Sequence, residues 1–194
     1  MSTSYEMGGR ARQKQRTREA LVAAARHLIT DGAVPTIDAV AERSGISRTT
    51  AYRYFPNQTS LLAVAHPEVR AVSLLTRPDE TDVAKRLDDV VCQFTKLIVE
   101  TEPQQRTMLR LSLTEEPADL PLRRGRAIRW IAEALEPLRE ELPSKELHRL
   151  VIAIRATIGI EALVWLVDVA GLSRPQVIQL MRRSAAALLA DALR

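Results

Sequence analysis

The chain has 194 residues, 46% of them hydrophobic, 27% charged and only 4% aromatic, with a formal net charge of +4. That hydrophobic share supports a packed core and excludes wholesale disorder, the scarcity of aromatics argues against holding nucleic acid mainly by base stacking, and a single cysteine, Cys92, excludes both an intramolecular disulfide and a cysteine-based zinc site. Ala, Leu, Arg and Glu dominate and β-branched alternation is sparse, so the expected fold class is all-α.

Residues 1–13 are polar, small or basic and are expected to be mobile. Arg10, Arg12, Lys14, Arg16 and Arg18 follow at every second position, with no acid among them until Glu19. A helical pattern runs from about Lys14 to Thr30, with Leu21, Ala24, Ala25 and Leu28 on one stripe and Val22 and Ile29 widening it, and Asp31-Gly32 ends it. The next stretch, from Thr36 to Leu61, reads TIDAVAERSGISRTTAYRYFPNQTSL and organises the rest. Thr36 is placed to cap a helix whose apolar stripe is Ile37, Val40 and Ala41. Gly45 supplies the left-handed residue of a helix stop, and Ile46 is expected to plug the core. Ser47 caps a second short helix from Arg48 to Tyr54, and Pro56-Asn57 stops it. Two short helices joined by a glycine-containing turn have the geometry of a helix-turn-helix, whose second helix enters the DNA major groove. A basic run beside such a motif points to phosphate contact.

Beyond Pro56 the pattern remains helical. A helix with Leu61, Leu62, Val64 and Ala65 is expected to pause at His66-Pro67, and Arg77-Pro78-Asp79 is a clearer break. Thr81 or Asp82 caps a helix running to about Glu100, with Val83, Leu87, Val90, Val91, Phe94, Leu97 and Ile98 as its core face. Glu102-Pro103 is expected to separate it from a short helix, Gln104 to Thr114, and a loop or helix start follows from Glu116 to Leu122. Arg123 to Leu142 reads as one helix kinked at Pro137. Ser144 is expected to cap a long helix from about Lys145 to Ala170, apolar nearly all round in its second half. Gly171 stops it, and Ser173 caps a last helix from about Pro175. The one boundary suggested by the pattern lies near Asn57, giving parts 1–57 and 58–194.

Little in the chain suggests catalysis or metal binding. His27, His66 and His148 are scattered without ligand-spaced partners, and there is no Ser-His-Asp order, glycine-rich phosphate loop or paired-carboxylate motif. Cys92 reads as a small hydrophobe of an apolar helix. The longest apolar stretch, Val151 to Ala170, carries Arg155, Glu161 and Asp168, too much charge for an ordinary membrane span. With no apolar signal core at the N-terminus, a soluble cytoplasmic protein is expected. No enzyme activity, cofactor or metal is expected.

The basic approach, the first helix and the pattern from Thr36 to Asn57, with its SG-I-S-x-x-T-x-Y-x-Y-F-x-N core, resemble the TetR family of bacterial transcriptional regulators, over about a quarter of the chain. The resemblance implies an N-terminal three-helix helix-turn-helix DNA-binding domain followed by a helical ligand-binding and dimerisation domain. It also implies a homodimer formed through the last two helices, a double-stranded, palindromic DNA operator, and release by a small-molecule effector, usually in a repressor. The alternative is a regulator of the same fold with no effector, controlled by a protein partner or by abundance. Carried over residue by residue, the DNA-binding positions are Thr36, Ser47, Arg48, Thr49, Thr50, Tyr52, Arg53, Tyr54 and Gln58, joined by Arg10, Arg12 and Lys14 of the basic run. Arg48 is the candidate for guanine O6 and N7, and Tyr52 matches the family's phosphate-binding tyrosine. Gln58 stands where the family commonly has lysine, so part of the electrostatic grip is expected to move to the arginine run. The ligand-binding candidates are Phe94, Met108, Trp130, Arg155, Glu161 and Trp165; the first reading of the four apolar ones is plain core, and of the two charged ones a mutual pair or an interface contact.

Overall fold

The computed structural model describes residues 3–66, 71–113 and 125–194, with side chains from residue 11 onward. Ten α-helices are described: α1 (Thr3–Thr30), α2 (Ile37–Ser44), α3 (Arg48–Tyr54), α4 (Gln58–Ala65), α5 (Val83–Glu100), α6 (Glu102–Ser112), α7 (Arg126–Ala134), α8 (Ser144–Thr157), α9 (Ile160–Val164) and α10 (Arg174–Ala192). No strand occurs among the described residues, so the all-α class holds. The chain divides into two compact units, residues 1–70 with 110–122, and residues 71–109 with 123–194.

The first unit is built on α1–α4. Its core joins Leu21, Ala25 and Ile29 of α1, Ile37, Val40 and Ala41 of α2, Ala51 of α3 with Phe55 behind it, and Leu61 and Ala65 of α4. The expected boundary at Asn57 therefore falls one helix early in the structure, because α4 buries its apolar side in the first core and the Arg26 guanidinium donates to the Val64 carbonyl at 3.2 Å. The first helix also departs from expectation. It starts at Thr3 rather than near Lys14, and residues 3–13 are helical. Residues 10–20 are mostly Arg, Lys, Gln, Ala and Glu, all good helix formers, with no proline to stop propagation from the packed half.

The second unit has its own core, to which α5, α7, α8, α9 and α10 contribute, Leu87, Phe94, Trp130, Ile131, Ile154, Leu163 and Met181 among them. Asp82 caps α5, accepting from the Ala84 and Lys85 amides at 2.9 and 3.2 Å. The helix of Leu61 and Leu62 ends at Ala65, and residues 71–82 are non-helical. That segment is tied down by the Asp89 carboxylate, which accepts from the Thr76 amide and hydroxyl, and by the Trp130 indole, whose Nε1–H donates to the Val72 carbonyl at 3.2 Å. The expected loop from Glu116 to Leu122 lies outside the described residues.

Four other boundaries differ. Pro103 lies inside α6, in the first turn where its missing N–H is harmless, so the expected break at Glu102-Pro103 becomes a helix start. The expected helix to Leu142 ends at Ala134 and continues as a 3₁₀ turn over Glu136–Arg139, so Pro137 stops α-helix rather than kinking it. Ser144 is the first residue of α8 rather than its cap, a place taken by Pro143. The single long helix to Ala170 is three pieces: α8, α9 and a π-helical turn over Trp165–Val169, separated at Gly159 with φ 130° and ψ −179°. Ser144–Val169 is long and apolar enough to cross a membrane by composition alone. Here it is interrupted at Gly159 and places Leu150, Val151, Ile154, Ile158 and Leu163 in the core of the second unit.

A charged cluster pins the start of α10. The Glu102 carboxylate accepts from Arg174 Nε and Nη2 at 3.1 and 2.9 Å and from Arg106 Nε at 2.8 Å, while the two Arg106 Nη groups clasp Asp168 at 2.6 and 2.7 Å. Hydrogen bonds from Arg174, outweighing the cost of burial, and further bonds from Arg106 hold the Glu102 carboxyl below its ordinary 4.5. Such a depressed carboxyl contributes stability that is fully present above the unfolded-state pKa and is lost as pH falls through the lower folded-state value. Glu102→Gln is expected to cost about 1–3 kcal/mol at pH 7, the worth of charge-assisted bonds in a largely buried site. Urea titrations from pH 7 downward should show the gap from wild type closing below about pH 4; a gap unchanged with pH would mean the charge is irrelevant.

Candidate nucleic-acid interface

The geometry of the first unit follows from its caps. Thr36 is extended and its Oγ1 accepts from the Ala39 amide at 3.2 Å, starting α2. A capping hydroxyl uses a lone pair, so its proton stays available to an incoming phosphate oxygen. Gly45 ends α2 at φ 66°, and its neighbour Ile46 sends its amide back to the Ala41 carbonyl at 3.1 Å. The chain thus reverses within a few residues. Ser47 then caps α3: its Oγ accepts from the Thr50 amide at 3.3 Å and donates to the Thr50 hydroxyl oxygen at 3.0 Å, which leaves the Thr50 proton for another acceptor.

The short α3 is anchored on one side only. Ala51 is buried within it and Phe55 just after it, while Arg48, Thr49, Tyr52 and Arg53 are exposed, Tyr52 at 44%. Tyr54 and Thr50 are half-buried. The sequence-derived DNA-binding residues of α3 therefore fall into one solvent-facing set, with Thr36 and Ser47 exposed at the two helix starts. Arg10 lies within α1, but its side chain is outside the described residues; Arg12 and Lys14 are exposed on that helix.

Two features escaped the sequence reading. Asp38, in the first turn of α2, reaches Arg48, with Oδ1 3.5 Å from Nε. The acid thus stands beside the candidate base-reading arginine, both side chains being exposed. The signal in sequence was only an acid near a helix start, which an N-terminal dipole explains as well. Gln58 is half-buried and its Nε2 donates to the Pro35 carbonyl at 2.9 Å. The amide thereby ties the start of α4 to the loop that carries Thr36, and its carbonyl oxygen is not a phosphate donor.

The proposed ligand residues behave differently. Phe94 and Trp130 are buried and meet edge to face, centroids 5.8 Å apart. The Arg155 guanidinium lies 5.9 Å from the Phe94 ring, donates to the Ile158 carbonyl at 2.7 Å and pairs with Glu161 at 3.2 Å. Met108 is buried as well. Trp165 does not join this group: it is 58% exposed on the π-helical turn, beside a shallow depression lined by Thr157, Leu180 and Met181. Among the described residues no cluster of His, Cys, Asp or Glu is arranged to hold a metal ion.

Three packed helices with an exposed, capped second helix of the pair define a helix-turn-helix protein. Residues 21–65 match the model for bacterial regulatory proteins, tetR family. The match starts at Leu21 and ends at Ala65, the first and last buried residues of the N-terminal core. Two solved structures share the fold. A TetR transcriptional regulator from Rhodococcus sp. RHA1 superposes with a TM-score of 0.60 at 20% identity, covering 90% of this chain and 97% of that one. A tetR-family transcriptional regulator from Streptomyces coelicolor gives 0.61 at 23% identity, over 92% and 82%. No curated protein matches in sequence. The family likeness therefore lies in the helix-turn-helix segment, residues 21–65, and beyond it the likeness to these regulators is one of fold.

Proposed function

We propose that the chain is a homodimeric, cytoplasmic repressor that reads a palindromic operator with two copies of α3 and lets go when a small molecule binds the second unit. The observation that carries the reading is the outward set Arg48, Thr49, Tyr52 and Arg53 on a helix capped by Ser47 and anchored through Ala51 and Phe55. Arg48 supplies a fork for a guanine edge, Thr36 and Thr50 supply hydroxyl protons, and Tyr52 a phenol for phosphate oxygens. The Gln58 amide acts as a strut for the Thr36 loop. The dimer draws support from exposed apolar side chains on and beside the last helices, Ile152 of α8, Leu180 of α10 and Leu193 just after it, with Trp165 and Val169 of the intervening turn. The reading assigns the protein no catalytic step, cofactor or membrane contact.

Effector control rests on differential affinity: a ligand shifts the population only if it binds the released form more tightly than the operator-bound one. Phe94, Met108, Trp130, Arg155 and Glu161 remain the proposed ligand contacts. Because Arg155 and Glu161 already pair with each other, and Phe94 with Trp130, a second reading has them as plain core, with control by a protein partner or by abundance.

Selection from randomised duplexes, followed by sizing of the complex, tests the proposal. The expected product is a two-fold-symmetric site with half-sites about 10 base pairs apart, one helical turn, carrying two chains. One chain on an asymmetric site would contradict it.

A further inference from the structure

The match to the regulator model begins at Leu21, yet α1 extends 18 residues further toward the N-terminus, about 27 Å of helix at 1.5 Å per residue. Residues 11–20 of this extension are exposed apart from half-buried Thr17. Its cations recur at every second position, and two residues on an α-helix stand about 200° apart. The run is therefore split. Lys14 and Arg18 continue the face that buries Leu21 and Ala25, whereas Arg12 and Arg16 lie on the opposite side with Glu19, which accepts from Gln15 at 2.7 Å.

The Lys14–Arg18 face meets the carboxyl end of α3. Gln13, Lys14 and Thr17 with Arg53 and Tyr54 enclose a cleft of about 610 Å³, and a second hollow of about 450 Å³ adds Arg18 on the same side. Arg18 lies 5.6 Å from the Phe55 ring and Arg53 lies 5.9 Å from the Tyr54 ring, so aromatic faces brace both guanidinium groups. Among the described residues no carboxylate lies within ion-pair distance of Lys14, Arg18 or Arg53, although Arg48 and Arg43 in the same unit each have one. Lys14 and Arg53 line both hollows and Arg18 completes the second, so three cations converge on that second hollow with no ion-paired acid, and a polyanion of fixed spacing fits that arrangement.

We propose that the hollow lined by Lys14, Arg18 and Arg53 seats a backbone phosphate of the DNA bound by α3, while Arg12 and Arg16 face away from it. The first unit then grips duplex DNA twice: base edges through the amino half of α3, and the sugar-phosphate backbone beside its carboxyl end. The proposal rests on the DNA-binding reading above and changes it in one respect, since it divides the basic run by side instead of treating it as one arm.

Lys14→Gln and Arg16→Gln remove the same charge two residues apart, from opposite sides of one exposed helix. Binding of the full-length chain to a random-sequence 30-base-pair duplex, read by fluorescence anisotropy between 50 and 200 mM salt, separates them. Lys14→Gln, and likewise Arg53→Gln, is expected to reduce the slope of log K on log salt by about 0.9. Arg16→Gln is expected to change it by less than about a third of that. Lys14→Gln combined with Arg53→Gln should lower the slope by about 1.8 and the affinity at least tenfold at 100 mM salt, with the melting temperature unchanged. Equal slopes for Lys14→Gln and Arg16→Gln, or no change with the double variant, would overturn the cleft and leave α3 as the reader. No binding of the wild-type chain to any duplex at 50 mM salt would overturn the DNA reading itself.

Discussion

Replacing Arg86 by alanine is expected to destabilise the second unit by about 2–4 kcal/mol. Arg86, half-buried on α5, donates to four backbone carbonyls: Nε to Ala134 at 3.1 Å, Nη2 to Glu133 at 3.0 Å, and Nη1 to Pro78 and Glu80 at 3.0 and 2.9 Å. The need for it is written into α7. In a continuing helix the Glu133 carbonyl would accept from residue 137, but that residue is proline and has no N–H. The Ala134 carbonyl would accept from Leu138, whose amide instead goes to Leu135 at 3.0 Å in the 3₁₀ turn. Arg86 supplies both missing donors and places a positive charge at the negative end of the helix dipole. Its remaining bonds fix the loop at Pro78–Glu80 against the same helix end. Arg86→Lys keeps the charge but not the fork, and should recover less than half of the loss. Chemical denaturation of the three proteins checks this; stability of the alanine variant within about 0.5 kcal/mol of wild type would show that water replaces the guanidinium without cost.

Gly159→Ala is expected to cost about 2–4 kcal/mol and to loosen the Arg155–Glu161 pair. The residue joins α8 to α9 at φ 130° and ψ −179°, a conformation essentially restricted to glycine, which alone accounts for about 1–3 kcal/mol. An added Cβ would also come within 3.1 Å of Glu161 Oε2 and much nearer to the Arg155 guanidinium, which bridges the break by bonding Ile158 and Glu161. The side chain can swing away, so the backbone strain sets the floor and the lost pair the excess. Arg155→Ala in the same background separates the two. If the guanidinium contact matters, the alanine at 159 should cost less once Arg155 is gone, a coupling readable in a double-mutant cycle. Purely additive losses would assign the whole effect to the backbone.

These two sites also show where sequence reading stops. The helix-turn-helix was legible because its signals are local: Thr36, Gly45 and Ser47 each act on amides within a few residues, and the structure places caps and stop at those positions. The core face of α5 was legible from 3.6-residue spacing for the same reason, with Leu87, Val90, Val91, Phe94 and Ile98 buried as expected. Pro137 was seen as a disturbance, but whether it kinks or ends a helix depends on a donor from Arg86, far away in sequence. Gly159 was hidden because apolar residues flank it on both sides, and an apolar run looks continuous whether or not the backbone breaks inside it. The domain boundary was misplaced for a related reason: the apolar face of α4 has the spacing of any helix, and only packing reveals that Leu61 and Ala65 face the first core. Asp38 beside Arg48 and Gln58 on Pro35 are likewise contacts between helices or across a turn, which periodicity does not report. Trp165, expected on a buried helix, is turned outward by the π-helical turn that carries it.

The central claim is that α3 reads DNA through its exposed residues. Its most direct test compares wild type with Arg48→Ala combined with Tyr52→Phe, on a duplex recovered by selection with the wild-type protein and on a random duplex. Both side chains are exposed and outside the core, so the fold should be retained. Loss of one bidentate base contact is worth about 1–3 kcal/mol, so affinity for the selected duplex should fall roughly 10- to 100-fold, while the random duplex loses only the smaller, sequence-independent share of the Arg48 charge and the Tyr52 phosphate contact. Unchanged affinity for the selected duplex would contradict the assignment of α3 as the reading surface.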